Sequence, residues 1–267
     1  MNNYRNYFAF QKEPFPQDVK VSELYHSPQL AGLTERLLYA IGIGAVTVIT
    51  GDVGTGKSTS IRYVCDKLHP SLYKVIPLVA TSGTVIEILR TITIPLGLEC
   101  KSPSLTTLTK TIRSVIQEIA LRKQIPVLVI DEAHLMRLEV LAQIHTFMQF
   151  DFDSKSLMPM ILSGHSTLLD KLMYHTSRPL ASRVVGRTHL DGLKLKEMEQ
   201  YLKHHLEISG MKEQLFSEQA VLAIHQTSGG LLRRANLLAK GSLMAAACEN
   251  CSVVSPEQVR IASTEII

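Results

Sequence analysis

From about residue 45 onward, short β-branched runs alternate with longer stretches in which apolar residues recur every three or four positions. Ala45 to Thr50 (AVTVIT) ends at Gly51 and suits a buried parallel strand. Ser58 to Leu68 reads as a helix, with Ile61, Val64, Cys65 and Leu68 on one face. Tyr73 to Ala80 is a second strand, and Thr84 to Ile94 a helix stopped by Pro95 and Gly97. Leu105 to Leu121 continues as a helix with Leu108, Ile112, Val115, Ile116 and Ile119 apolar. Pro126 to Ile130 (PVLVI) is a third strand ending at Asp131, and Leu138 to Phe150 is helical. Met158 to Leu162, closing at Ser163-Gly164, and Val184 to Leu190 complete a set of five strands.

Strands that alternate with helices imply an α/β fold with a parallel sheet covered on both faces. In such sheets ligands gather at the carboxyl ends of the strands, where Gly51, Asp131 and Ser163 all fall. After Leu193 the pattern becomes purely helical. Lys194 to Ile208 is amphipathic, Ser217 caps a helix that begins at Glu218, and Gly229-Gly230 breaks the chain before Leu231 to Cys248. Ser255-Pro256-Glu257-Gln258 combines a capping box with proline at the first helical position. The expected division is therefore an N-terminal segment plus α/β core over residues 1–193 and a helical lid over 194–267.

Composition adds limits rather than chemistry. The 267 residues are 45% hydrophobic and 19% charged, enough for a substantial core and against global disorder. A net charge of +4 is compatible with a polyanionic partner, and no basic run appears. Residues 1–12 lack an apolar signal-peptide core, and no apolar window approaches the roughly 20 residues of a membrane helix, so a cytoplasmic protein without a membrane partner is expected. Cys248 and Cys251 form a lone C-x-x-C with no second ligand pair, which reads as free thiols rather than a zinc site.

The motif G-x-x-x-x-G-K-[ST] is met by Gly51, Asp52, Val53, Gly54, Thr55, Gly56, Lys57 and Ser58, with Thr59 following. Glycines let such a loop wrap a phosphate with its N–H groups turned inward, and the helix behind it aims its positive end at the same charge. Lys57 is expected to reach the β- and γ-phosphates of ATP, and Ser58 to hold Mg2+ through its hydroxyl. Val127 to Ile130 then delivers Asp131-Glu132 beside the loop. Asp131 is expected to act on Mg2+ through water, and Glu132 to polarise the attacking water. Ser163 has two readings, a polar group that senses the γ-phosphate or a turn serine before Gly164. Arg178, Arg183 and Arg187 cluster around the fifth strand, where one could act across a subunit interface or all could be ordinary surface arginines.

These segments together resemble the AAA+ ATPases, specifically the general-secretion-pathway protein A (ExeA) group. The resemblance rests on Tyr7-Phe8-Ala9-Phe10, Pro14-Phe15, Leu24-Tyr25-His26-Ser27, the loop ITGDVGTGKST (49–59), VLVIDEAHL (127–135) and Ile161-Leu162-Ser163-Gly164-His165. It continues through Tyr201 to Leu206, Gly210, Ser228-Gly229-Gly230 and Arg233-Arg234-Ala235-Asn236, and so covers nearly the whole chain. It implies a five-stranded P-loop core with a helical lid, and a homo-oligomeric ring or filament with ATP between subunits. By position it makes Arg183 the interface arginine and Arg233 the lid arginine that reaches the γ-phosphate of its own subunit. Leu232 stands where the group usually has proline, which leaves Arg233 and Arg234 as alternatives, and His205 stands where it usually has arginine.

Secretion members of the group continue into a membrane span and a peptidoglycan-binding region, whereas this chain ends at Ile267. Short members resemble the transposition ATPases IstB, TniB and TnsC, which implies ATP-dependent assembly on DNA and recruitment or licensing of a transposase. Sequence-nonspecific duplex DNA would meet Lys101, Lys110 and Arg113, in a stretch free of acids, although such lysines also serve as ordinary surface charges. A cytoplasmic ATPase module of a secretion or envelope-assembly system is the alternative. A nucleotide switch with little turnover fits less well, because Glu132 and the arginines would then have no use.

Overall fold

The computed structural model describes residues 4–99, 104–152 and 154–265. Its strands are β1 (Val46–Gly51), β2 (Tyr73–Val79), β3 (Ile125–Asp131), β4 (Met160–Gly164) and β5 (Val184–Leu190). The helices up to β5 are α1 (Tyr4–Tyr7), α2 (Pro28–Gly42), α3 (Lys57–Lys67), α4 (Val85–Thr93), α5 (Leu105–Leu121), α6 (Leu138–Ile144), α7 (Thr167–Met173) and α8 (Arg178–Ala181). After β5 follow α9 (Leu195–Ile208), α10 (Glu218–Ser228), α11 (Leu232–Cys248) and α12 (Pro256–Thr264). Among the described residues, no helix is long and apolar enough to cross a membrane.

The chain divides into two compact units. One, the α/β unit, comprises residues 29–51 and 57–190; the other, the helical unit, comprises 4–28, 52–56 and 191–265 among the described residues. This differs from the division expected from sequence, which placed the N-terminal segment with the α/β core. The reason is burial: Tyr4, Phe8, Phe10 and Phe15 pack among Met198, Tyr201, Leu206 and Leu243 of α9 and α11. Burying an aromatic ring stabilises by roughly 1.5–3 kcal/mol, more than the weak periodicity of this segment advertises.

In the α/β unit all strands run parallel in the order β2-β3-β4-β1-β5. Side chains alternate between the two faces with period two. Val46, Val48, Leu128, Ile130, Met160 and Leu162 pack on one face with residues of α4, α5, α6 and α7. Ile49, Val127, Val129 and Ile161 pack on the other, against Leu33, Leu37 and Ile41 of α2 and Ile61 and Val64 of α3. Both faces being apolar is what makes the central strands read as unbroken hydrophobic runs.

Two local outcomes differ from the sequence expectation. Helix α2 precedes the alternating strands and helices expected from residue 45 onward; its Leu30, Leu33, Leu37 and Ile41 form a buried stripe. The expected helix from Leu138 to Phe150 keeps α-helical form only to Ile144, then tightens into a 3-10 turn over His145–Met148. Arg113 supplies the physical reason. Its guanidinium donates to the carbonyls of Thr146 and Gln149, both at 2.5 Å, and lies 4.6 Å from the ring of Phe150, so those carbonyls are satisfied outside a helical ladder.

The helical unit is held by caps where the sequence places them. Ser217 accepts from the Ala220 N–H at 3.1 Å, and Ser255 forms a capping box with Gln258. Between α10 and α11, Gly229 and Gly230 take φ of 61° and 77°, and the Leu193 N–H donates to the Gly230 carbonyl at 2.9 Å. A Cβ on Gly230 would stand 2.4 Å from the Leu193 carbonyl oxygen. Only glycine passes there.

Candidate active site

The carboxyl ends of three strands meet along one edge of the sheet. Ile49 of β1 is in register with Ser163 of β4, and Leu162 of β4 with Ile130 of β3. Gly51, Ser163 and Asp131 thus come to neighbouring strand ends, at the position where open α/β sheets bind ligands.

The loop after β1 is shaped by Gly54 and Gly56, with φ of 91° and 94°, values that side-chain-bearing residues avoid. Thr55 closes a turn inside it, its hydroxyl donating to the Asp52 carbonyl at 2.9 Å. Lys57 opens α3 and is buried, its ammonium donating to the Gly51 carbonyl at 2.8 Å, while Ser58 and Thr59 are exposed in the first turn. A helix N-terminus placed behind a glycine-rich loop is a ready anion site. Within the helical unit, which takes in residues 52–56, the Arg233 N–H donates to the Gly54 carbonyl at 3.2 Å. A Cβ on Gly54 would meet that of Arg233 at 3.0 Å, and one on Gly56 would meet a methyl of Leu232 at 3.0 Å. Leu232 occupies the first position of α11, where proline is also favoured, which accounts for the exchange between the two residue types. Arg233 stands one residue further in, and Arg234 is exposed beyond it.

At the end of β3, the Glu132 N–H donates to Asp131 Oδ1 at 2.9 Å, and Glu132 holds φ at 54°. Its carboxylate is 41% exposed and lies 3.2 Å from His134 Nδ1. Ser163 is fully buried and its hydroxyl has no hydrogen-bond partner among the described residues. An unpartnered buried hydroxyl costs about 1–3 kcal/mol, so it offers a polar atom beside the strand ends, though one reached only when its surroundings shift.

These features fit a nucleoside triphosphate with Mg2+. Lys57 supplies a cation at the start of α3, and the Ser58 hydroxyl and Asp131 carboxylate are the hard oxygen donors that magnesium prefers.

The arginines and lysines named from sequence are scattered more widely. Arg183 follows α8, its guanidinium donating to the Pro179 carbonyl and its own carbonyl accepting from the Val46 N–H at 3.1 Å. Arg178 is exposed at the start of α8 and Arg187 is exposed on the edge strand β5. Of the residues expected to face DNA, Lys110 is exposed on α5 and Lys101 lies outside the described residues. Arg113 is half-buried on α5, its guanidinium donating to the Thr146 and Gln149 carbonyls and lying over the ring of Phe150. The sequence reading missed Lys171 and gave His134 no role. Lys171 donates to the His134 carbonyl at 2.5 Å and to that of Met136 at 2.8 Å, fixing the turn after the acidic pair. His134 was visible in the motif, but nothing in one dimension connects it to β4.

The sheet order, the G-x-x-x-x-G-K-S loop after β1 and the acidic pair after β3 are those of a P-loop fold of the AAA+ type. Residues 44–173 match the family described as an AAA domain. General secretion pathway protein A of Aeromonas hydrophila is 27% identical over 266 residues, covering 98% of this chain and 48% of that protein. The chain thus spans about half the length of the curated relative it matches. Among solved structures, Cdc6p of Pyrobaculum aerophilum superposes with a TM-score of 0.73 at 16% identity, covering 95% of this chain and 70% of that one. The ORC1 protein of Aeropyrum pernix, solved in complex with DNA, gives 0.68 at 18% identity, covering 92% and 67%. At such identities these two likenesses speak for the fold alone.

Proposed function

We propose that this protein is a Mg2+-dependent ATP hydrolase that uses ATP to assemble copies of itself on duplex DNA and there recruits or regulates a transposase. The observation that carries the ATPase part is that Gly51, where the phosphate loop begins, and Asp131-Glu132 close β1 and β3, the two strands that flank β4. In this reading the loop N–H groups and Lys57 bind the phosphates, Ser58 and Asp131 hold the metal, and Glu132 orients and deprotonates the attacking water. Bound Mg2+ would neutralise charge on the β- and γ-phosphate oxygens. Arg233, beside Gly54, takes the role of lid arginine in preference to Arg234. Arg183 completes the site of a neighbouring copy, which makes hydrolysis depend on assembly.

The DNA part is supported by the net charge of +4, by exposed Lys110 and by a shared fold with a protein solved on DNA. The transposase rests on the resemblance to the transposition ATPases. A second reading, an ATPase module of a secretion system, is favoured by the identity to General secretion pathway protein A along 98% of this chain. Anisotropy of labelled duplex of arbitrary sequence separates them. The wild-type protein binds at low salt with ATP and loses affinity without it, Lys57→Ala does not bind, and Glu132→Gln remains bound because turnover falls by about 100-fold or more. Lys110→Ala lowers the slope of log affinity against log salt by about one. ATP-dependent turnover without any duplex binding at low salt would leave the secretion reading in place.

A further inference from the structure

The ring of His134 sits where two chemical demands compete for one atom. Nδ1 is 3.2 Å from the Glu132 carboxylate and also accepts the backbone N–H of His165 at 3.3 Å. Holding the carboxylate requires a proton on Nδ1, whereas accepting from His165 requires a bare lone pair there. One neutral tautomer serves each partner, and no tautomer serves both.

The ring has little freedom to escape the choice. Its turn is pinned by Lys171 of α7, which donates to the carbonyls of His134 and Met136. Gly164 presses against it from β4, where an added Cβ would meet the His134 backbone nitrogen at 3.0 Å and Nδ1 at 3.1 Å. The Glu132 backbone is equally fixed, at a positive φ and with its N–H on Asp131. What remains adjustable is the Glu132 side chain, 41% exposed, with His134 as the contact that reaches it.

We propose that His134 is a positioning residue for Glu132, linking the end of β4 to the carboxylate. When Nδ1 accepts from His165, the strand end is latched and the carboxylate is left unheld. When Nδ1 carries the proton, the ring donates to Glu132 and the His165 N–H is released. A movement of Ser163-Gly164-His165 therefore decides whether the carboxylate is aimed or slack. Aiming a general base changes the rate of the step and not the binding of the nucleotide.

This inference rests on the reading of Glu132 as the base, and its test keeps the two apart. His134→Leu is expected to lower kcat at least 10-fold with KM and nucleotide affinity within 2-fold of wild type. His134→Asn, whose amide can accept or donate from the same place, is expected to recover most of that loss. Independently of turnover, 15N spectra of the histidine rings in nucleotide-free protein report where the proton sits. Replacing Glu132 by Ala should move His134 Nδ1 towards the signal of an unprotonated acceptor nitrogen. Full kcat in His134→Leu, equal loss in the Asn and Leu variants, or an unmoved Nδ1 signal would each overturn the linkage. Wild-type turnover in Glu132→Gln would instead overturn the base assignment, whatever His134 does.

Discussion

His205 lies against Phe15, ring centroids 5.2 Å apart, and is edge-on to Tyr201 at 4.5 Å. The Pro14 carbonyl can only accept, so Nδ1 bears the proton in the 2.8 Å contact between them. Burial disfavours the charged ring and drives its pKa from the ordinary 6.5 down to about 4. Since the unfolded chain then binds the proton more readily, stability is unaffected above pH 6.5 and falls as pH drops from 6.5 towards 4. At about 1.4 kcal/mol per unit, the loss amounts to roughly 3 kcal/mol in the helical unit. Urea unfolding of wild type at pH 7, 5.5 and 4.5 should show that decline. His205→Leu should start less stable, because Pro14 loses its donor, and decline less over the same range. The arginine usual in the resembled group could not sit in this pocket uncharged, so the exchange to histidine goes with a neutral, buried environment.

At the scale of elements, the crossing of the 191–193 segment with Gly229-Gly230 is the tightest in the helical unit. A Cβ on Gly192 would come within 2.4 Å of the Gly229 carbonyl oxygen, as one on Gly230 would with that of Leu193. Gly230→Ala should therefore cost about 1–3 kcal/mol from the positive φ and the clash together. A lowered melting temperature, with helix content at 20 °C largely retained, is the expected outcome; an unchanged melting temperature would show that α11 can shift aside. Helix edges themselves were legible because their signals are local. Ser217, and Ser255 with Pro256, each cap a neighbour within three residues. The end of α6 was not legible, because the group that claims the Thr146 and Gln149 carbonyls is Arg113, more than thirty residues earlier.

For the whole molecule, the proposed site is complete only when Arg183 of one copy serves the loop of the next. Glu132→Gln, which still binds ATP and assembles, and Arg183→Ala should each be inactive alone, yet regain activity when mixed. In a random one-to-one assembly, about a quarter of interfaces pair an intact Glu132 with an intact arginine, so phosphate release should recover to about a quarter of the wild-type rate. Mixed proteins that stay inactive would mean that Arg183 acts within its own chain or not at all.

The sequence by itself determined the parallel α/β class, five strands close to their observed bounds, the phosphate loop and the acidic pair. Each depends on spacing within a few residues, which one dimension records. Tertiary structure alone decided that Arg113 holds the Thr146 and Gln149 carbonyls, that the aromatic N-terminal segment packs with the terminal helices, and that His134 reaches both Glu132 and His165. Those outcomes are contacts between residues far apart in the chain or on separate elements. They are set by which apolar faces bury against each other, and no local pattern encodes that choice.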